Sequence, residues 1–195
     1  MRFKTALLAL VLTLPSFAQM TPQQREFDFM SLLSVYAKRY GPANWKQEAL
    51  GVDIFEAKPW MDRVRAAKDD VEYWQICAEF VAALQDGHSS YRAPAAFSVD
   101  AGLFADIYDG KVLVDSIDRS RYPLAQYPIA LGDEIVSIDG KPVSDLMNLY
   151  GKNRGFGNPR GARRLAADAL VFRSQSTFPT IGDTPDESDF LFRKA

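Results

Sequence analysis

This sequence has one histidine and one cysteine in 195 residues, and both scarcities restrict its chemistry. A lone cysteine, Cys77, cannot form a disulfide within the chain. One histidine and one distant cysteine also lack the ligand spacing of a zinc site, so we expect no metal and no cofactor. Acid–base chemistry near neutral pH would depend on His88, the single imidazole.

An excess of one charge sign is also missing. The 23 Lys and Arg residues against 25 Asp and Glu give a net charge of -2, which offers no reason to expect nucleic acid as a partner. One stretch, over 152–173, is locally basic and is opposed only by Asp168. It is either a solvated linker and helix face, which we favour, or an interaction surface. Its cations are Lys152, Arg154, Arg160, Arg163, Arg164 and Arg173.

The apolar run over 6–14 is about half of the ~20 residues that span a bilayer. It follows Arg2 and Lys4 and leads to small residues at Ser16 and Ala18, the pattern that a signal peptidase reads. We interpret 1–18 as a signal peptide rather than a membrane anchor. The protein is therefore expected to be exported, periplasmic or secreted, with no membrane span after cleavage.

Helical spacing dominates the region 19–97. Thr21, Pro22 and Gln24 predict an N-cap, a first helical residue and a capping box, and Gly41 followed by proline predicts the end of this helix.

A further helix is predicted to start near Asp70 as its N-cap and to end at Gly87. Its apolar stripe includes Cys77, which we expect to be buried as a small apolar group. His88 would then be the first residue beyond a helix C-terminus, where the negative end of the helix dipole favours imidazolium.

Strand signals replace helical spacing after this motif. Asp109-Gly110 and Asp139-Gly140 predict type I′ hairpins, because both central residues of that turn need positive φ. Ser144 to Tyr150 returns to helical spacing.

The glycine-rich segment 151–161 is interpreted as a mobile connection, and a helix is predicted over 163–172. An alternating strand signal follows at 190–192 with nothing after it. An unpaired edge strand is a liability, so we expect either that the natural chain continues or that this strand pairs with a partner.

A serine hydrolase needs a hydroxyl nucleophile, a base, a group that orients the base, and oxyanion donors. From residue types alone, His88 is a candidate base or a capping and hydrogen-bonding residue. Ser89 and Ser90 adjoin it, but neither lies on a G-x-S-x-G nucleophile elbow. Both are therefore expected to have supporting roles.

Three stretches, "FVAALQDGHSSYR", "AGLFADIYDGKVLVDSI" and "PIALGDEIVSIDGKPV", resemble in order the front half of the C-terminal processing (tail-specific) serine peptidases. The resemblance covers roughly residues 25 to 195 and is greatest to the branch with chlamydial protease-like activity factor. In that branch a histidine ahead of a PDZ-like domain serves as general base, and His88 matches it. The resemblance also implies a later α/β core with the nucleophile, which this sequence lacks.

The resemblance predicts an α+β fold, with an N-terminal helical region followed by a PDZ-like, partly open β-barrel with helices. The expected divisions are a helical region over 19–97 that ends in the DGH motif, a PDZ-like domain over 98–150, and a linker, helix and truncated peptidase core over 151–195. The expected function is the N-terminal part of an exported serine endopeptidase, inactive alone.

The alternative function is a non-catalytic PDZ module that binds protein or peptide C-termini by β-augmentation. Gly102, Leu103 and Phe104 are the candidates for its carboxylate-binding loop, although the Gly-Leu-Gly-Phe pattern is incomplete and the PDZ-like domain of the chlamydial-type branch is degenerate. These residues could instead turn the chain and fill the core. Homo-oligomer formation stays open.

Overall fold

A computed structural model describes residues 19–195 as an N-terminal helical region followed by antiparallel β-structure with two further helices. The predicted α+β class is confirmed, and the main sheet is partly open rather than a closed barrel. The predicted signal peptide, 1–18, lies outside the described residues. None of the described helices combines the length and apolar composition that crossing a bilayer requires.

Four helices form the N-terminal region: α1 Pro22–Arg39, α2 Ala43–Leu50, α3 Lys58–Ala66 and α4 Asp70–Ala83. The predicted capping box of α1 is confirmed: the Thr21 hydroxyl accepts the Gln24 N–H, and the Gln24 side chain accepts the Thr21 N–H.

The core of this region includes fully buried Phe29, Tyr73 and Cys77, so the prediction for the cysteine is confirmed. Arg25 is also buried; its Nε lies 3.0 Å from Asp70, and one terminal nitrogen donates to the Ala67 carbonyl at 2.7 Å. A buried guanidinium is tolerated only when its charge and donors are satisfied, so this pair fastens α1 to the start of α4.

Both predicted ends of α4 need correction. The N-cap is Asp69, whose carboxylate accepts the Glu72 N–H at 2.9 Å, because Asp70 is engaged by Arg25. The helix ends at Ala83 rather than Gly87, and Gln85 adopts the left-handed conformation with φ of 47°. A local glycine signal therefore misplaced the C-terminus by about one turn.

The strands begin later in the chain than predicted. Strand signals appear directly after the DGH motif, but the first strand begins at Ser98. Both predicted hairpins are confirmed by positive φ at Asp109, Gly110, Asp139 and Gly140. The elements of the sheet region are β1 Ser98–Asp100, β2 Leu103–Tyr108, β3 Lys111–Ile117, β4 Glu134–Ile138, β5 Lys141–Pro142, α5 Val143–Tyr150, α6 Pro159–Asp168, β6 Phe172–Ser174 and β7 Phe190–Arg193.

The main sheet has the order β2-β3-β4-β5, and β7 also pairs antiparallel with β4, placing Phe192 opposite Ile135. The strand predicted at 190–192 therefore pairs within its own chain. Strands β1 and β6 form a separate antiparallel pair. The second core includes buried Val114, Ile135 and Leu170.

The segment 151–161, interpreted from the sequence as a mobile connection, contains regular secondary structure. It contains a 3-10 helix over Gly151–Asn153 and the start of α6, capped by Asn158, whose side chain accepts the Gly161 N–H at 2.9 Å. The predicted helix over 163–172 begins earlier because Asn-Pro is an N-cap followed by a first helical proline. It ends at Asp168, and the chain then enters β6.

The basic stretch does not form one uniform patch. Arg164 pairs with Asp106, Arg173 donates to carbonyls at the end of α6, and Arg154 is partly buried.

Candidate functional site

The turn that carries His88 is held by Asp86. Its Oδ1 accepts the backbone N–H of His88 at 3.0 Å, and its Oδ2 accepts the Ser89 hydroxyl at 3.2 Å. The Ser89 N–H also donates to the Asp86 carbonyl at 3.1 Å. This Asx-turn mimics a backbone turn and fixes the chain direction at the DGH motif. The hydrogen bond from the His88 N–H is the largest cause that lowers the pKa of Asp86.

The His88 imidazole itself is fully exposed. Its Nδ1 lies 3.6 Å from Asp86 Oδ1, which is beyond hydrogen-bond distance but within range of an ion pair when the ring is protonated. His88 was predicted to be the first residue beyond the helix C-terminus. Because α4 ends at Ala83, the His88 ring does not lie at that terminus. Asp86, a neighbour along the chain, is the carboxylate nearest this imidazole among residues 19–195.

Neither adjoining serine is arranged as a nucleophile for His88. The Ser89 hydroxyl donates to Asp86, and Ser90 is exposed. The turn therefore presents a candidate base without a hydroxyl partner from these two positions.

Two residues of the first helices support this turn from beneath. Lys46 is buried, and its ammonium donates to the Gln85 carbonyl at 2.8 Å, while its charge also favours ionised Asp86. The buried Tyr40 hydroxyl lies beside Asp86; burial first, and then the Asp86 carboxylate, raises the pKa of Tyr40 to about 12. Lys46 thus ties the turn to α2, Tyr40 at the end of α1 lies beside it, and the Asp86 carboxylate has a cation nearby.

The glycine-rich segment 151–161 packs beside the turn that carries His88, a contact that the sequence pattern did not predict. A Cβ on Gly87 would come within 3.0 Å of the Phe156 ring, and a Cβ on Gly155 would lie 2.5 Å from the Ala82 carbonyl oxygen. These contacts bring the loop against the end of α4. The signal was present: glycines at close intervals over 151–161 are what a close backbone approach requires.

The three residues predicted to bind a carboxylate lie at the start of β2 but face different surroundings. Gly102 has φ of 71°, and its N–H donates to the Asp100 carboxylate at 2.7 Å. Leu103 is buried in the core, whereas Phe104 is half exposed. The structure therefore does not gather them into one pocket, and a carboxylate of the chain itself already accepts from Gly102.

Side chains from the next loop cover this amide. A Cβ on Gly102 would lie 2.6 Å from the Tyr122 ring, and Arg121 pairs with Asp100 at 2.8 Å. The loop at Gly102 is consequently closed by an internal ion pair.

Among residues 19–195, strand β2 pairs only with β3, and α6 packs against it. Arg164 of α6 donates to both oxygens of Asp106 on β2, from Nε at 2.9 Å and from a terminal nitrogen. This contact is the main cause that lowers the pKa of Asp106. A peptide that added to β2 would lie beside this ion pair.

No three His, Cys, Asp or Glu side chains come together as a metal site in the part of the chain that the structure describes.

Comparison with known proteins places this geometry in context. The PDZ domain family matches residues 102–187. An uncharacterized protein of Chlamydia muridarum (strain MoPn / Nigg) is 28% identical over 125 residues, which are 59% of this chain and 19% of the relative. A protein of Chlamydia trachomatis serovar D (strain ATCC VR-885 / DSM 19411 / UW-3/Cx) is 27% identical over 124 residues, with the same coverage.

Among solved structures, mature CPAF matches with a TM-score of 0.66 and mature CPAF in complex with lactacystin with 0.68. Each is 20% identical, and the match covers 89% of this chain and 32% of that one. The predicted resemblance to the chlamydial branch is thus confirmed as a likeness of fold, and residues 102–187 are similar to PDZ domains. It spans about a fifth of the length of the curated relatives it matches.

Proposed function

We propose that this chain is the N-terminal part of an exported serine endopeptidase, to which it contributes a general base, His88, and a PDZ domain. The supporting observation is the fit of 89% of the chain to 32% of mature CPAF, together with an exposed imidazole on a hydrogen-bonded turn between the helices and the PDZ-like region.

In this proposal the His88 imidazole accepts the proton of a serine hydroxyl as that oxygen attacks the peptide carbonyl. The imidazolium then gives the proton to the leaving amine. Asp86, with Oδ1 3.6 Å from Nδ1, is positioned to stabilise the imidazolium. The serine and the oxyanion donors come from chain outside these 195 residues, whose packing over the turn would also exclude water from the exposed ring.

The test compares two proteins: the purified 195-residue chain and the product of the natural reading frame that contains it. The short chain is expected to leave a quenched peptide substrate intact. The longer product is expected to hydrolyse it and to lose that activity on His88→Ala. Hydrolysis by the short chain that disappears in its own His88→Ala variant would contradict the assignment of the nucleophile to another segment.

Peptide binding by the PDZ domain is a second candidate function, favoured by the family match over 102–187 and by the edge position of β2. A peptide carboxylate at Gly102 would have to displace Asp100. Titration with free-acid and amidated peptides tests this function, and Asp100→Ala should strengthen binding of the free acid because it releases the Gly102 N–H. Equal weak binding of both peptides would count against carboxylate capture.

A further inference from the structure

A cleft of about 530 Å³ lies between the C-terminal half of α4 and the loop that leads into α6. The loop contributes Lys152, Arg154 and Phe156, and the helical region contributes Trp60 and Glu79. Gln85 also lines it, and Gly87 contacts the Phe156 ring. The cleft therefore adjoins the turn that carries His88.

The cleft contains two cations without a carboxylate partner. Arg154 and Lys152 form no ion pair among the described residues, and Arg154 Nε is buried without an acceptor. Burial lowers the pKa of Arg154 below its usual value, and Asp168 opposes this only through its charge. A buried guanidinium N–H without an acceptor is costly, and an anion beside the Arg154 guanidinium would be stabilised by its charge.

The acidic residue of the cleft does not cancel this charge. Glu79 accepts a hydrogen bond from Arg63 at 2.5 Å, so its carboxylate already has a cation of its own. The N-terminus of the ten-residue helix α6 adds to the positive potential, since Asn158 and Pro159 also line the cleft. The site is consequently net positive.

The walls of the cleft are apolar. Trp60, Phe156 and Pro159 line it with Ala82 and Ala83, and its volume suits a few peptide residues rather than an inorganic anion alone. A cleft with apolar and aromatic walls and a few cations suits an organic anion that carries apolar groups next to its charge.

We propose that this cleft binds a carboxylate of an extended peptide, with Lys152 and Arg154 as counter-charges and Trp60 and Phe156 as walls. This inference rests on the proposed function, because it assigns a substrate class to the same site: a peptide that is anchored here runs past the His88 turn. The carboxylate is either the C-terminal group or an Asp or Glu side chain.

Binding of three N-acetylated peptides to the 195-residue chain, measured by isothermal titration calorimetry, tests the proposal. The first is Ala-Ser-Leu-Ala-Leu with an amidated end, the second is its free acid, and the third is the amide with Glu in place of Leu at the third position. The two acidic peptides are compared with the neutral amide. Tight binding of the free acid alone assigns the C-terminal group, and tight binding of the Glu peptide alone assigns a side chain.

Matched variants locate the site. Lys152→Gln and Arg154→Gln should each weaken binding of the acidic peptide by about tenfold, the loss expected for one charge-assisted contact. Arg160→Gln removes an exposed charge from the same segment but not from the cleft, and should leave binding unchanged. Lys152 is exposed, so its variant preserves a usable result if Arg154→Gln fails to fold.

The proposal is overturned if the neutral amide binds as tightly as both acidic peptides, if no peptide binds, or if folded Lys152→Gln binds like the unaltered chain. Because the readout is binding and not hydrolysis, each of these results leaves the role of His88 to its own test. If peptides bind but His88→Ala does not change the rate of hydrolysis by the complete product, the result contradicts the role of His88 and leaves the cleft as a binding site.

Discussion

The Asp86 carboxylate accepts the backbone N–H of His88 at 3.0 Å and lies 3.6 Å from its imidazole nitrogen. One side chain thus fixes the backbone of the candidate base and places a negative charge beside its ring. The arrangement depends on three neighbouring residues, with Ser89 as the second donor to the carboxylate.

Replacement of Asp86 tests how much this turn contributes to the fold. Asp86→Ala removes the acceptor of the His88 N–H and the Ser89 hydroxyl, and should lower the free energy of unfolding by about 1–2 kcal/mol. Asp86→Asn keeps an acceptor oxygen and should cost less. Urea unfolding followed by circular dichroism measures both, and equal stability of all three proteins would contradict the account of the turn.

Acid should destabilise the chain through its hydrogen-bonded carboxylates. The pKa of Asp106 is lowered chiefly by Arg164, and the hydrogen bond from the His88 N–H lowers that of Asp86. A depressed carboxyl pKa in the folded protein stabilises it above the unfolded value, about 3.9, and this stabilisation disappears as the pH falls through the folded pKa. The free energy of unfolding should therefore decrease below about pH 4.

Asp106→Asn isolates one contribution to this acid sensitivity. The variant should lose less stability than the unaltered chain between about pH 5 and pH 2, because one of the carboxylates with a lowered pKa is gone. Glu187→Gln, at an exposed position, is the control and should follow the unaltered chain. An identical pH profile for Asp106→Asn would show that the pair with Arg164 contributes nothing measurable.

Gly155 should not tolerate a side chain. An added Cβ would lie 2.5 Å from the Ala82 carbonyl oxygen, whereas the nearest atom to a Cβ on Gly157 is at 3.8 Å. Gly155→Ala should destabilise the chain by about 1–3 kcal/mol, the usual cost of overpacking, and Gly157→Ala should be close to neutral. Thermal unfolding of the two variants distinguishes them, and equal Tm values would refute the contact.

Cys77 should be chemically inert in the folded chain. Its side chain is fully buried, and burial raises the pKa of the thiol to about 11. At pH 8 the thiolate fraction is on the order of 0.1%. Ellman's reagent should therefore react with it only at the rate of unfolding, and fast reaction in native buffer would contradict its burial.

Features encoded by neighbouring residues were predictable from sequence. The capping box at Thr21 and Gln24 and the hairpin glycines Gly110 and Gly140 depend on local geometry, and the structure confirms them. The N-cap of α4 was not predictable, since Asp69 and Asp70 are equivalent as local signals. Arg25, 45 positions from Asp70 along the chain, pairs with the Asp70 carboxylate, so Asp69 is the residue that caps the helix.

In the candidate site, too, the local motif was predictable and the contacts between distant segments were not. The DGH motif drew attention to His88, but the packing of the glycine-rich segment beside it depends on contacts such as Gly155 against Ala82 and Phe156 against Gly87, which join segments far apart in the chain. Glycine spacing indicated a close approach without naming its partner. Likewise, the closure of Gly102 by Asp100 and its cation is a tertiary arrangement that the incomplete motif alone did not reveal.

The most direct test of the proposed function is the initial rate of peptide hydrolysis by the complete product of the natural reading frame, with and without His88→Ala. Urea unfolding of both proteins shows whether His88→Ala is folded, so that a loss of rate in the folded variant is chemical. If His88 is the general base, the rate should fall by a factor of about 10² or more. An unchanged rate in the folded variant, or a reading frame without a peptidase core after Ala195, would contradict it.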